Sequence, residues 1–84
     1  MTEQEFTILD ELYFLTSYQD LSEAVGLEEA ALLNSLKSLL EKKWIRCYKE
    51  ADQELPYEDT DLEKDYARYY YLASKEGLLK HNQQ

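Results

Sequence analysis

Glycine, proline, cysteine and histidine are all scarce in this chain. Two glycines in 84 residues cannot build a glycine-rich phosphate loop. A single cysteine, Cys47, excludes an intramolecular disulfide, and a reducing compartment is the simplest setting for it. The one histidine, His81, falls in a tail expected to fray, and no histidine lies near Cys47 in sequence, so no nucleophile–base pair points to catalysis. No cofactor-binding motif is present. The opening MTEQEF lacks a basic region followed by an apolar one, and no apolar run approaches the roughly 20 residues that cross a bilayer. The chain is therefore expected to be soluble, cytoplasmic and non-enzymatic.

Positive charge is also in short supply. Nine Lys and Arg stand against 18 Asp and Glu, a net charge of −9, and the imbalance is local. Residues 1–26 carry −6, residues 27–49 carry +2, residues 50–65 carry −7 and residues 66–84 carry +2. What the chain does have is apolar and aromatic content, 44% and 13%, with eight tyrosines among the aromatics. That composition argues against disorder. A chain of this length buries roughly 60–65% of its unfolded surface, enough for one core, so residues 1–84 are read as a single domain.

From Glu3 to Leu15 the residues Phe6, Leu9, Leu12 and Tyr13 recur at helical spacing, and Ile8, Phe14 and Leu15 widen the apolar face. In TSYQDLSEAVGL, Ser17 fits an N-cap and Gly26 a C-terminal stop for a short second helix. A third helix is expected from about Glu29 to Lys43, with Leu32, Leu36, Leu39 and Leu40 as its core stripe. Glu28 and Glu29 then suit the positive end of its dipole, and Lys42 and Lys43 the negative end. WIRCYKE alternates as a strand, with Ile45 and Cys47 facing inward. EADQELPYEDTDLEKD has no sustained period and reads as a long exposed acidic loop. YARYYYL reads as a second strand, with Tyr70 and Leu72 on one face and Tyr69 and Tyr71 on the other; Ser74 caps a last helix, KEGLLKHN.

This order resembles the winged helix-turn-helix superfamily. DLSEAVGL is similar to its second helix and turn, with Gly26 as the left-handed residue; LLEKKWIRCY is similar to the end of a recognition helix entering the wing; YYYLASKEGLL is similar to the returning strand and the start of a closing helix. The resemblance spans residues 6 to 81 and implies an α+β, mainly helical domain: three helices, a two-stranded wing hairpin around a long acidic loop, and a short C-terminal helix. It also implies a groove-facing third helix, although winged helices serve both as DNA readers and as protein-docking modules.

The residues on that surface decide between these uses. Asn34 suits adenine, and Lys37, Lys42, Lys43 and Arg46 suit phosphate or guanine, the set expected of a DNA-binding regulator. Against it, the loop that should grip phosphates carries −7. Leu33, Leu40, Trp44, Tyr48, Tyr69 and Tyr71 form the candidate partner-binding set, either as an exposed aromatic group or hidden under a folded-back loop anchored by Leu55, Pro56, Tyr57 and Leu62. The wide apolar face of the first helix suits either a homodimer contact or burial against the last helix. Alternate acids in DTDLEKD suggest calcium, but Lys64 stands where an EF-hand needs glycine. The leading expectation is a protein–protein interaction module, with a DNA-binding regulator and an acidic DNA mimic as the alternatives.

Overall fold

Helix α1 (Glu3–Glu11) starts at a reciprocal cap: Glu5 N–H donates to Thr2 Oγ1 at 3.0 Å, and Thr2 N–H donates back to Glu5 Oε1 at 2.9 Å. It buries Ile8 and Leu9, with Leu12 following at its C-cap. In the computed structural model, which describes residues 1–83, this helix stops short of the apolar stretch Tyr13–Leu15. That stretch leads instead into strand β1 (Thr16–Ser17), a two-residue edge. Helix α2 (Tyr18–Val25) follows at once; Ser17 Oγ accepts from Asp20 N–H at 3.2 Å, as expected of an N-cap. Gly26 closes it in the left-handed region (φ 64°), so the turn requires a residue that tolerates positive φ.

Helix α3 (Glu29–Glu41) buries Leu32, Leu36, Leu39 and Leu40, the expected stripe. It ends in a Schellman turn: Lys43 N–H donates to Leu40 C=O and Trp44 N–H to Leu39 C=O, both at 3.0 Å. The left-handed position there is filled by Lys43 (φ 62°), where glycine is usual. Strand β2 (Ile45–Glu50) then pairs with β3 (Gln53–Leu55) and with β4 (Tyr70–Ala73). Between β3 and β4 lie a 3₁₀ turn at Tyr57–Asp59, a one-turn helix α4 (Leu62–Asp65) and a second 3₁₀ turn at Tyr66–Arg68. Helix α5 (Lys75–Asn82) closes the described chain, capped by Ser74 as expected.

The described residues form an α+β domain with five α-helices and one four-stranded antiparallel sheet, ordered β1-β4-β2-β3. Two corrections follow. The expected antiparallel pairing of WIRCYKE with the YYYL strand forms, as β2 with β4, but it is not an isolated two-stranded hairpin: β3 adds on the other side of β2, and β1 on the other side of β4. The acidic segment, residues 50–65, is exposed as expected but not irregular; it holds a strand, a 3₁₀ turn and a helical turn, with Leu55 and Leu62 packed against the core. No helix among the described residues is long and apolar enough to cross a membrane.

The joint between Lys43–Trp44 and Ser74–Gly77 holds α5 in place. Ser74 Oγ donates to Lys43 C=O at 2.7 Å, and Ser74 N–H donates to Trp44 C=O at 2.9 Å. A Cβ on Gly77 would lie 2.0 Å from that same Trp44 oxygen, so the helix backbone needs glycine to approach this closely. Gly77→Ala is therefore expected to lower unfolding free energy by about 3 kcal/mol in chemical denaturation, the upper range for overpacking. Lys43→Gly is expected to raise it by about 0.5–1 kcal/mol, since relief of left-handed strain exceeds glycine's extra chain entropy.

Candidate functional site

The outward flank of α3 is covered along one side by the acidic segment. Tyr66, in the second 3₁₀ turn, donates its hydroxyl to Glu29 Oε1 in the first turn of α3. That bond and burial both push the Tyr66 phenol above its ordinary range; burial, then Glu29, does the same to Tyr18, whose ring meets Tyr66 edge-on at 4.9 Å. One turn along, Leu62 and Glu63 face Leu33, Asn34 and Lys37 across a cavity of about 170 Å³. A second cavity of about 320 Å³ continues it, with Lys37 and Leu40 on one wall and Tyr57, Glu58, Asp61 and Leu62 on the other. Asn34 and Lys37 thus share a groove with the anionic segment. Glu28 sits at the N-cap position without bonding through its side chain, while Glu29 serves as the anchor for Tyr66.

The expected exposed aromatic group does not form. Tyr71 is 0% exposed and Tyr69 is 6%, both in the core. Register is the reason: Tyr71 lies opposite Cys47, on the inward face, and Tyr70 lies opposite Tyr48 on the other. Burying a phenol requires a hydrogen-bond partner. Tyr71 donates to Tyr66 C=O at 2.9 Å, and Tyr69 Oη accepts from Asp61 N–H at 3.1 Å. Both partners lie between β3 and β4, so the folded-back alternative holds for Tyr69 and Tyr71; of its four expected anchors, Leu55 and Leu62 pack against the core, whereas Pro56 and Tyr57 stay exposed. Leu40 is likewise buried, while Leu33, Trp44 and Tyr48 stay partly exposed. Tyr66 escaped the sequence pattern because YARYYY reads as one continuous strand; its first three residues form the 3₁₀ turn.

The basic residues do not make one continuous stripe. Lys42 turns away to α1, where its ammonium bonds Glu5 Oε2 at 2.8 Å and lies 4.7 Å from the Trp44 ring centroid. Lys43 and Arg46 line a different cavity, of about 350 Å³, beside Glu54 and Glu76; Arg46 Nη1 is 3.9 Å from Glu54 Oε1. Only Asn34 and Lys37 remain on the outward flank of α3.

Two further expectations change. His81 does not fray: it is buried, stacked on Phe6 at 4.2 Å, within 3.0 Å of the Tyr13 hydroxyl and 3.3 Å from Asp10 Oδ1. Of the wide first-helix face, Ile8 is buried but Phe14 stands 80% exposed. Cys47 faces the core as expected, and burial pushes its thiol up to about 12, partly offset by Thr60, so little thiolate exists at neutral pH. Among the described residues no three His, Cys, Asp or Glu side chains are grouped to hold a metal ion, and the DTDLEKD acids do not converge on one point. No protein-family model, curated protein or solved structure matches the chain.

Glu5 is 2% exposed, yet its carboxyl is held below its ordinary value. Burial alone would raise it, but Lys42, the Thr2 N–H and the Ser38 hydroxyl together outweigh that cost. A lowered folded-state pKa stabilises above the unfolded value of 4.5 and is lost as pH falls through the folded value. Lys42→Met is expected to cost about 1–2 kcal/mol at pH 7, discounted because the lysine is half-exposed. The gap from wild type should narrow in urea titrations as pH falls below 4.5 and Glu5 protonates.

Proposed function

We propose that this chain is a non-enzymatic winged-helix module that docks a protein, using α3 and the acidic segment beside it, rather than reading duplex DNA. The winged-helix assignment is supported by the order α1, β1, α2, α3, β2, β4, α5, with β3 and α4 inserted between β2 and β4, by the left-handed Gly26 between α2 and α3, and by β1 pairing with β4 at the sheet edge. The choice of partner is carried by one observation: the acidic segment lies along α3, tied by Tyr66 to Glu29 and packed by Leu62 against the flank that bears Asn34 and Lys37.

Duplex affinity comes largely from neutralised phosphates, about 6–10 of them in a typical site. Here Lys37 is the single base beside Asn34, Lys42 is engaged by Glu5, and Glu58, Asp61 and Glu63 share the groove. These carboxylates line the same groove as Lys37, and charges closer than about 8 Å are little screened at physiological salt, so a phosphate backbone brought into that groove would be repelled. The regulator reading draws on Asn34 and Lys37, both exposed on α3. A gel shift with random duplex DNA at low salt separates the two. Micromolar protein is expected to give no shift; a shift that weakens steeply with added salt would establish the regulator instead.

A further inference from the structure

The geometry points to the groove between α3 and the acidic segment as a receptor for an arginine side chain on an extended basic segment of a partner protein. This rests on the docking reading above and specifies the chemistry of the partner. The groove is a pair of adjoining cavities, about 320 and 170 Å³, that share Lys37, Leu62 and Glu63. It runs along α3 from Leu33 to Leu40, about 10 Å at the helical rise, the span of three extended residues.

Its floor and its rim ask for different parts of the same side chain. The half-buried Leu62, over the nearly covered Leu40, offers apolar surface, which suits the three-carbon stem of arginine. Tyr57, one of the few large apolar side chains left substantially exposed, presents a ring at the rim. A guanidinium can stack on that ring while bonding a carboxylate with its fork of donors. Glu58, Asp61 and Glu63 line the groove, all three are exposed, and none has a cation within salt-bridge distance among the described residues. Lys37 is the one opposing charge, so three carboxylates face one ammonium. That balance selects a cation over an anion. The apolar floor and aromatic rim select arginine over lysine, whose compact, strongly hydrated ammonium neither stacks nor forks.

The probe is a short, end-capped, fluorescently labelled peptide alternating arginine and leucine, titrated by anisotropy against the full chain. Binding is expected to fall about tenfold in the double variant Glu58→Gln, Glu63→Gln, both exposed positions whose change leaves the core untouched. Tyr57→Leu should cost about threefold, and so should replacing the peptide's arginines by lysines. Lys37→Ala should tighten binding by about twofold, because it removes the like charge. A circular-dichroism melt checks that each variant remains folded. Equal affinity for the lysine peptide, or an equal loss on neutralising Glu3 and Glu23 far from the groove, would reduce the effect to diffuse attraction and overturn the inference. Weaker binding in Lys37→Ala would overturn it as well. No peptide binding together with no DNA shift removes the arginine receptor and leaves the broader docking reading intact; a DNA shift removes both.

Discussion

A phenol taken out of water must keep a hydrogen-bond partner, and this requirement organises the surface of the domain. Tyr71 is drawn into the core by the register of β4 against β2, and Tyr69, immediately before β4, is buried there too. Their hydroxyls then need polar groups, and the closest supply is the backbone of the stretch between β3 and β4: Tyr66 C=O for one, Asp61 N–H for the other. Satisfying the core thus pins a heavily charged segment to the body. Tyr66 extends the same chemistry outward to Glu29. The placement of the acids is in this sense a by-product of burying aromatic rings.

That placement determines what the exposed flank of α3 can meet. Eight acids and one lysine occupy residues 50–65, and a free tail of that composition could swing away from a polyanion. Fixed between Tyr69, Tyr71 and Glu29, it cannot do so without breaking three hydrogen bonds and exposing Leu62. The cost of presenting α3 to phosphate is therefore structural as well as electrostatic. Meanwhile the buried Glu5, held by Lys42, Ser38 and Thr2, withdraws one of the few remaining bases from the surface. Buried acids and strapped acids work in the same direction.

Much of the fold was legible because it is written locally. Helical spacing in α2 and α3, the caps at Ser17 and Ser74, and the left-handed Gly26 each depend on residues within one turn of one another. What escaped is what distant residues decide. Which face of YYYL points inward depends on its pairing with a strand more than twenty residues earlier, so alternation alone could not assign Tyr71. The acidic segment carries only isolated anchors, Leu55 and Leu62, with no period to announce them. Lys42 reads naturally as a helix-end charge; its partner Glu5 lies 37 residues away. The Thr2–Glu5 spacing is itself a capping-box signature, although nothing in it reveals that the glutamate will also receive a lysine and a serine. The groove beside α3 was partly visible through Asn34, Lys37, Tyr57 and Leu62, but their juxtaposition required tertiary structure.

The pairing of β1 with β4 sets Thr16 opposite Tyr71, and Ala73 N–H reaches back to Leu12 C=O at 2.8 Å. The sheet therefore joins residues that lie far apart in sequence. Such long-range closure slows folding relative to a simple helical bundle of the same size. It also has a biosynthetic consequence: a nascent chain still held at Tyr70 inside the ribosome lacks the strand that joins its halves. The domain can close its sheet only once β4 is free to pair with both β1 and β2.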